Sequence, residues 1–192
     1  MIDKTNFENI KKTMEKYDAQ RELVIRKSRD IIKLSKQIIY SIHRNEIKKA
    51  SELKKDIDKE LKNLHQLAKT TKLLYEGSIK VAIMEYVEAI AYLEFVKNRK
   101  IPPFKEDYIN IDYYLMGLCD LTGELTRKAV NSAINEDYKQ VKKIKELVEN
   151  IYGCFIQLDI RDNELRRKFD SIKWDLKKLE DLVCEIKLKG KL

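Results

Sequence analysis

The fold is decided by IKVAIMEYVEAIAYLEFVK, residues 79–97. Wound into an α-helix, this stretch carries Ile, Val, Ala, Leu, Met or an aromatic residue on nearly every side. A helix that is apolar all round is enclosed by neighbouring elements rather than laid on a surface. The stretch therefore predicts a helix over about 78–97 that lies at the centre of the molecule.

Breaks in the chain bound this central helix on both sides. The sequence Glu76-Gly77-Ser78 precedes it, and Pro102-Pro103 stands in a following segment that cannot continue a helix. Apolar residues that recur at helical spacing predict five more helices. Their expected spans are about 5–43, 46–75 and 108–135, then from a turn at 135–137 to 158, and from 162 to 190.

The first of these helices has one unbroken apolar side. Its expected core residues are Leu23, Ile31, Leu34, Ile38 and Ile42. Asn45 is the expected N-cap of the second helix. Charged residues make up 38% of the 192 residues, with only five Gly and two Pro, and this composition is typical of long amphipathic helices. We predict an all-α fold with one domain over 1–192.

The cysteines indicate neither a zinc site nor a disulfide framework. Cys119, Cys154 and Cys184 lie at least 30 residues apart, so paired metal-ligand spacing is missing. We expect them in the core of a reduced, cytoplasmic protein. No apolar stretch approaches the roughly 20 residues that cross a bilayer, and the N-terminal MIDKTNFENIKK has no continuous apolar run. We expect no membrane association.

Two acids interrupt the apolar surface of the central helix. Glu85 and Glu88 are three residues apart, so their side chains leave one face, beside Val81, Ala89 and Tyr92. An ionised carboxylate in such surroundings costs several kcal/mol unless a cation or hydrogen-bond donors compensate it. The pair therefore predicts a positive group at this face.

The following helix repeats this pattern in YYLMGLCDLTGELTRKAVNS, residues 113–132. Asp120 and Glu124 are four residues apart, close to Gly117 and Gly123. Because glycine costs about 1 kcal/mol in a helix relative to Ala, the two glycines predict close approach by another helix or a ligand. If the two acid-bearing helices pack antiparallel across the Pro-Pro connection, the four carboxylates converge on one pocket.

Oxygen donors of this kind suit Mg²⁺, with Mn²⁺ as the alternative ion, and such ions activate water at a phosphodiester. The helical di-iron sites use Glu-x-x-His, but neither His43 nor His65 stands three residues after a Glu. We expect both histidines to be ordinary residues. The alternative to a metal site is that the acids pair with Arg127, with Lys80 or with basic residues of the first helix.

Positive charge is concentrated in the N-terminal part of the chain. Residues 1–75 hold 19 Lys and Arg against 11 Asp and Glu, whereas 76–192 hold 21 of each. On the first helix, basic residues recur every three or four positions and so form one basic face. A second row of lysines lies on the second helix. A row of this kind is either a solvated helix face or a surface that neutralises nucleic-acid phosphates. The basic face is Arg26, Arg29, Lys33 and Lys36, and the second row is Lys48, Lys55, Lys59, Lys62 and Lys69.

Four segments of the chain resemble the translin family. They are LVIRKSRDIIKLSKQIIYSIHR (23–44), MEYVEAIAYLEFVKNRKI (84–101), YLMGLCDLTGELTRKAVNSAINEDY (114–138) and KWDLKKLEDLVCEIKLKG (173–190). They are collinear with the family over nearly the whole chain. EYVEA together with DLTGELxRxxxNS favours the Trax branch of that family over translin itself.

The resemblance implies seven helices, so one of the six predicted segments should be divided, and subunits that assemble into a curved, hollow, octamer-like shell. It also implies Mg²⁺-dependent endonucleolytic cleavage of single-stranded RNA held on basic surfaces, with single-stranded DNA as a further ligand. The acids of EYVEA carry over to Glu85 and Glu88, and the acid of DLTGE carries over to Asp120. Glu124 occupies the following acid of that motif.

Departures from the family pattern limit what carries over. The segment KNRKIPPFKEDY (97–108) has no clear counterpart of the Arg/His-rich nucleic-acid segment of translin. Arg26, Arg29, Lys33 and Lys36 are therefore RNA-binding candidates on physical grounds. Neither a nuclear-localisation arm nor the longer C-terminal tail of the family is evident, so we expect a homo-oligomer from a prokaryotic, archaeal-type cell.

Three functions follow from these observations. The first is a metal-dependent endoribonuclease whose activity depends on Glu85 and Asp120. The second is a single-strand-binding protein without activity, as in the translin branch. The third is a structural oligomer whose acids pair with Arg127 and lysines, which predicts neither binding nor metal dependence.

Overall fold

A computed structural model of the chain describes residues 3–68, 71–74, 76–105 and 109–191. These residues form seven helices and no strand, which confirms the all-α prediction. The divided segment is the second one, because α2 ends at Leu67 and a short α3 follows. The helices are α1 (Lys4–His43), α2 (Ile47–Leu67), α3 (Thr71–Leu74), α4 (Gly77–Asn98), α5 (Ile111–Ile134), α6 (Tyr138–Ile156) and α7 (Asn163–Leu188).

Three predicted features fall outside the described residues. They are Lys69 at the end of the second basic row, the predicted end of the second helix at Tyr75 and the predicted start of the fourth at Tyr108.

Polar side chains fix where several helices begin. Asp3 accepts hydrogen bonds from the backbone N–H groups of Thr5 and Asn6 at 3.0 and 3.2 Å. Three further side chains cap α5, α6 and α7 in the same way: Asn110, Asp137 and Asp162.

The prediction that Asn45 caps the second helix is wrong. Its φ of 59° is left-handed, a conformation that Asn tolerates, so it forms the tight turn after α1 while Glu46 takes the N-cap position.

Helix α4 is central, as predicted, because it packs on α1 and α2 on one side and on α5 on the other. Tyr92 and Leu93 on α4 are fully buried. One predicted core residue is wrong: Leu23 is 42% exposed, and its neighbour Val24 is buried instead. The core prediction for the cysteines is confirmed at Cys119 and wrong at Cys154 and Cys184, which are exposed on α6 and α7.

Helices α4 and α5 run in the same direction, so the antiparallel packing considered from the sequence is wrong. The Lys80 Nζ atom lies 5.8 Å from the centre of the Tyr113 ring, and farther along both helices Met84 abuts Gly117. The connection between them makes this possible. It spans residues 99–110 and contacts the start of α5, where the Tyr114 hydroxyl donates to the Pro102 carbonyl at 2.8 Å. A fully extended chain of twelve residues can span about 40 Å, enough to return along a 22-residue helix of about 33 Å.

Helix α1 also runs parallel to α4. The Arg21 Nε atom lies 2.8 Å from Glu76, just before α4 begins, and His43 at the end of α1 meets Tyr92 near the end of α4. Helix α7 packs on α5 and α6. In the ranges that the structure covers, no helix is long and apolar enough to cross a membrane.

Candidate functional site

The four predicted acids meet where α4 and α5 pack together. Glu85 and Glu88 on α4 and Asp120 and Glu124 on α5 are all partly buried. The negative charges of Asp120, Glu85 and Glu124 all act on the Glu88 carboxyl. The four acids come together because the helices are parallel. In this packing a residue of α4 faces the residue about 32 positions later in the sequence, so Asp120 lies opposite Glu88.

Gly117 allows this close packing of the two helices. A Cβ atom there would lie 2.7 Å from the Met84 carbonyl oxygen and 2.7 Å from the Val87 Cβ, distances that real Cβ atoms do not adopt. The predicted close approach is thus confirmed at Gly117. At Gly123 close approach by another helix is wrong, because the nearest atom to an added Cβ is a carboxylate oxygen of Asp175 on α7, at an ordinary 3.9 Å; approach by a ligand stays a prediction there.

Each of the two acids on α5 has its own cationic or hydrogen-bonding partner. The Lys168 Nζ atom, on α7, lies 2.6 and 2.8 Å from the two carboxylate oxygens of Asp120. The Nε2 atom of His43 is hydrogen-bonded to Glu124, and Arg127 stands 3.9 Å from the same Glu124 oxygen. Burial raises the pKa of Asp120, and Lys168 opposes this shift.

The two acids on α4 have no such partner: within the described part of the chain, neither Glu85 nor Glu88 forms a salt bridge. Burial, and after it the charges of Asp120, Glu85 and Glu124, raises the pKa of Glu88 from 4.5 to about 8. Burial also raises the pKa of Glu85, against which the positive charge of Lys36 acts. Lys80, an alternative partner weighed from the sequence, pairs with Glu164 instead. The α4 acids therefore lack a salt-bridge partner in the described part of the chain, and Glu88 keeps its proton near neutral pH.

Three of the four acids border one cavity of about 350 Å³. Asp120 lies beside it, on the α7 side, with Lys168. We call this the carboxylate cavity. Its lining residues are Lys36, Ile39, Tyr40, His43, Glu85, Glu88, Glu124 and Arg127.

The carboxylates are neighbours but not a preassembled ligand cluster. Among the residues whose placement is described, no group of three or more His, Cys, Asp or Glu side chains is arranged to hold a metal ion. The chemistry of the site nevertheless fits a hard divalent cation, because the donors are carboxyl oxygens and an ionised Glu88 has no salt-bridge partner among the described residues. Binding would require these side chains to rotate toward one another.

The basic face of α1 leads into the carboxylate cavity. All four residues of the basic face are exposed on α1, as their spacing predicted: Arg26, Arg29, Lys33 and Lys36. Three of them line a shallow groove of about 590 Å³ together with Tyr40, whose side chain is 60% exposed. Lys36 and Tyr40 border both the groove and the carboxylate cavity. The groove with Arg29, Lys33 and Lys36 is therefore continuous with the cavity that Glu85, Glu88 and Glu124 line.

Sequence reasoning missed two residues of this site, His43 and Lys168. A signal for His43 was present, because it follows Lys36 and Tyr40 at steps of four and three on the same side of α1. No local signal marks Lys168, because only the packing of α7 on α5 brings it to Asp120.

Comparison with known sequences gives one family. The model of the Translin family matches residues 19–190 of this chain. An uncharacterized protein of Methanocaldococcus jannaschii is 31% identical over 166 residues, covering 84% of this chain and 73% of that protein. Translin-associated protein X of Mus musculus is 24% identical, covering 96% of this chain and 78% of that protein. The match to translin of Gallus gallus, at 32% identity, spans 43% of this chain and 36% of translin.

Solved structures share the fold over almost the full chain. The crystal structure of apo-NeC3PO superposes with a TM-score of 0.87 at 28% identity, covering 96% of this chain and 97% of that one. The complex of AfC3PO with duplex RNA superposes with a TM-score of 0.83 at 22% identity, covering 96% and 97%.

Proposed function

The chain belongs to the translin family, and from this premise we propose that it is a metal-dependent endoribonuclease that cuts single-stranded RNA at the carboxylate cavity. Membership confirms the resemblance of the four sequence segments. The family and the C3PO structures support an RNA-related function, nucleic-acid binding and assembly of subunits. Cleavage, the metal and the single-stranded substrate are our proposals.

The observation that carries this proposal is the shared border of the basic groove and the carboxylate cavity. Lys36 and Tyr40 belong to both. A phosphate backbone held along Arg29, Lys33 and Lys36 would therefore be led to Glu85 and Glu88 rather than past them. Without a cation, those carboxylates would repel the phosphates. A cation at the acids removes that conflict, which supports pairing a metal site with an RNA groove.

The residues that would hold the cation are Glu85, Glu88, Asp120 and Glu124. A bound Mg²⁺ or Mn²⁺ would supply an activated water and neutralise charge that develops on the phosphate and the leaving oxygen. The chain's own residues contribute binding and orientation. Arg127, 61% exposed at the side of Glu124, is placed to contact a phosphate oxygen at the cavity.

An exposed aromatic ring in the basic groove favours single-stranded RNA over duplex RNA. The Tyr40 ring on α1 is exposed, and the guanidinium carbon of Arg44, which follows the last residue of α1, lies 5.7 Å from the ring centre. An unpaired base can stack on such a ring, which is worth roughly 1–3 kcal/mol per base, whereas a paired base is already stacked within its duplex. AfC3PO was solved with duplex RNA, so duplex binding is an outcome that the experiment must include.

The test is cleavage of a labelled, unstructured RNA in Mg²⁺, Mn²⁺ or EDTA, with the matched duplex RNA and single-stranded DNA as further substrates. We expect the wild-type protein to cut the single-stranded RNA only with metal. We expect Glu88→Gln to lower the cleavage rate at least about 100-fold, because it removes a ligand of the cation, while RNA affinity changes less than about threefold.

The matched control is Glu94→Gln, which alters α4 on its opposite side, where Glu94 accepts a hydrogen bond from Asn98 at 2.7 Å. It should cut at the wild-type rate. Metal-dependent cutting that survives Glu88→Gln would show that the site assignment is wrong.

The groove is tested by the salt dependence of binding. Replacing both Arg29 and Lys33 by Ala should weaken RNA binding and lower the slope of log affinity against log salt by about one to two, since each contacted phosphate of a single strand contributes about 0.7. The control replaces two exposed lysines of α6, Lys142 and Lys143, by Ala. It should leave the slope unchanged.

One observation favours a second function, the binding of single strands without cleavage. Asp120 and Glu124 already have Lys168 and His43 as partners, which would suit a protein that binds single strands without cutting them. RNA binding with strong salt dependence, together with no cleavage in any divalent metal, would establish this function in place of the nuclease.

We also propose that the subunits form a homo-oligomeric, octamer-like hollow shell in the cytoplasm. Mass measurement of the purified protein in solution tests the subunit count. A stable monomer at micromolar concentration would contradict the shell.

A further inference from the structure

His43 is the residue at which α1, α4 and α5 meet. It is the last residue of α1, and its side chain is only 8% exposed. Its Nε2 atom is hydrogen-bonded to Glu124 on α5, and its Nδ1 atom lies 3.4 Å from the hydroxyl of Tyr92 on α4. The His43 and Tyr92 rings are also in contact, with centroids 5.3 Å apart.

The direction of these hydrogen bonds follows from what each group can donate. An ionised Glu124 carboxylate only accepts, so the His43 Nε2 atom must carry the hydrogen. In a neutral imidazole the Nδ1 atom is then an acceptor, and the Tyr92 hydroxyl donates to it. Burial, and after it the charge of Glu124, raises the pKa of Tyr92, so its hydroxyl keeps the proton that it donates. With Glu124 ionised and the imidazole neutral, the hydrogen bonds run in one direction, from Tyr92 through His43 to Glu124.

We propose that His43 is a positioning residue that sets the orientation of Glu124 for the cation. This inference rests on the proposed function, because it takes Glu124 to be a ligand. The imidazole occupies one Glu124 oxygen, Oε2, and leaves the other for a metal ion. Tyr92, fully buried in α4, fixes the imidazole ring from behind. Partners of this kind, behind the ligands, orient carboxylates in metal sites, and their loss weakens metal affinity or activity about 10–100-fold.

The position of His43 also links the two halves of the site. It lies seven residues, or about two turns, after Lys36 on the same helix, and both residues border the carboxylate cavity. The helix that presents the basic face therefore also holds a carboxylate of the acidic site. Movement of α1 relative to α5 would shift Glu124 directly.

The experiment measures Mn²⁺ binding to the purified full-length protein without RNA, from the electron paramagnetic resonance signal of free Mn²⁺. We compare the wild type with His43→Leu, His43→Gln and Tyr92→Phe. His43→Leu removes the donor and should weaken Mn²⁺ binding about 10–100-fold. His43→Gln retains an N–H donor of similar reach and should stay within about threefold. Tyr92→Phe keeps the ring but frees the imidazole to turn, and it should fall between them.

Thermal unfolding in EDTA shows that each variant is folded, and RNA affinity in EDTA should be unchanged in all three. A folded His43→Leu that binds Mn²⁺ as tightly as the wild type overturns the inference. So does a His43→Gln that is as weak as His43→Leu, because then the donor is not what matters.

Failure of the inference and failure of the proposed function give different results. If the wild type binds Mn²⁺ with the expected dependence on His43 but cuts no RNA, the nuclease is wrong and the positioning role stands. If the wild type cuts RNA and His43→Leu binds Mn²⁺ normally, the nuclease stands and the positioning role is wrong. If the wild type binds no Mn²⁺, both are wrong.

Discussion

The two pairs of acids at the α4–α5 contact differ in what surrounds them. On α5, Asp120 is held by Lys168 and Glu124 by His43. On α4, Glu85 and Glu88 form no salt bridge with any described residue, and the pKa of Glu88 is raised to about 8. Similar side chains on adjoining helices thus have opposite surroundings, one pair compensated and one pair not.

This difference assigns separate tasks to the two helices. Under the proposed function, the partners on α5 fix the orientation of its carboxylates, whereas the α4 carboxyls, once ionised, provide the electrostatic attraction for a cation. A purely structural ion-pair network would have partners on both helices. The contrast between α4 and α5 therefore favours the proposed metal site over an ordinary network, and each prediction below tests one side of it.

The largest effect should come from removing the charge on α4. In the folded protein Glu88 keeps its proton up to about pH 8, against an ordinary 4.5, so metal-free wild type should lose stability as pH rises through this interval and lose no more above it. Glu88→Gln cannot ionise. It should match the wild type at pH 4 and exceed its free energy of unfolding by about 2–4 kcal/mol at pH 9, since one pKa unit corresponds to about 1.4 kcal/mol.

Urea unfolding in EDTA at one fixed protein concentration measures this difference. Glu94→Gln, on the other side of α4, should differ from the wild type by less than about 0.5 kcal/mol at every pH. Parallel pH profiles for the wild type and Glu88→Gln would mean that the α4 charge is compensated after all.

The next largest effect tests the contact that brings the pairs together. In Gly117→Ala the new Cβ would meet the Met84 carbonyl and Val87 at 2.7 Å, so α4 and α5 must separate. We expect a loss of about 1–2 kcal/mol in unfolding free energy, because overpacking outweighs the gain in helix propensity. Gly153→Ala on α6, where an added Cβ has nothing within 4 Å, should instead be neutral or stabilising. Equal effects at both glycines would refute the close contact.

A smaller effect should follow from removing a partner on α5. Lys168 lowers the pKa of both Asp120 and Glu88, so Lys168→Met should destabilise the metal-free protein at pH 8 by about 1 kcal/mol. Added Mg²⁺ should restore part of that loss. Lys173→Met, whose pair with Asp170 is half-exposed on the same helix, is the control and should change stability by less than about 0.5 kcal/mol. An unaltered stability in Lys168→Met would show that Asp120 does not depend on this partner.

The smallest effect concerns Lys36, the positive charge that lowers the pKa of Glu85 most. Lys36→Met removes a positive charge that competes with the cation. The Mg²⁺ concentration that gives half-maximal cleavage should therefore fall about threefold, which corresponds to a free-energy difference of less than about 1 kcal/mol. Lys33→Met is the matched control, since Lys33 lines the basic groove but not the carboxylate cavity. Both should weaken RNA binding, and only Lys36→Met should change the Mg²⁺ requirement.

The sequence predicted the helices and the acids better than the partners of the acids. The apolar residues around the helix at 79–97 predicted a central α4, and the acid spacing predicted one pair, Glu85 and Glu88, on a face of α4 and a second pair, Asp120 and Glu124, on a face of α5. Local periodicity determines these features, so they can be seen in a single sequence. Leu23 was misassigned because Val24 lies at the next helical position, and periodicity does not distinguish adjacent edges of an apolar stripe.

The direction of α5 relative to α4 and the partners of the acids depend on tertiary structure. The Pro-Pro segment is compatible with a tight reversal or with an extended return, and only the extended return makes α4 and α5 parallel. Lys168 is one of many lysines on α7, and its contact with Asp120 follows from how α7 packs. His43 was set aside because it lacks the Glu-x-x-His spacing, although its position on the Lys36 side of α1 was visible in the sequence.

The most direct test of the central claim is the pKa of the Glu88 carboxyl, measured by ¹³C NMR of glutamate-labelled protein with and without Mg²⁺, with Glu88→Gln identifying the signal. We predict a pKa near 8 in EDTA and a fall of at least about one unit in saturating Mg²⁺, because the cation favours the ionised form. A pKa near 4.5 in EDTA, or a raised pKa that Mg²⁺ leaves unchanged, would contradict the assignment of α4 as the uncompensated side of a metal site.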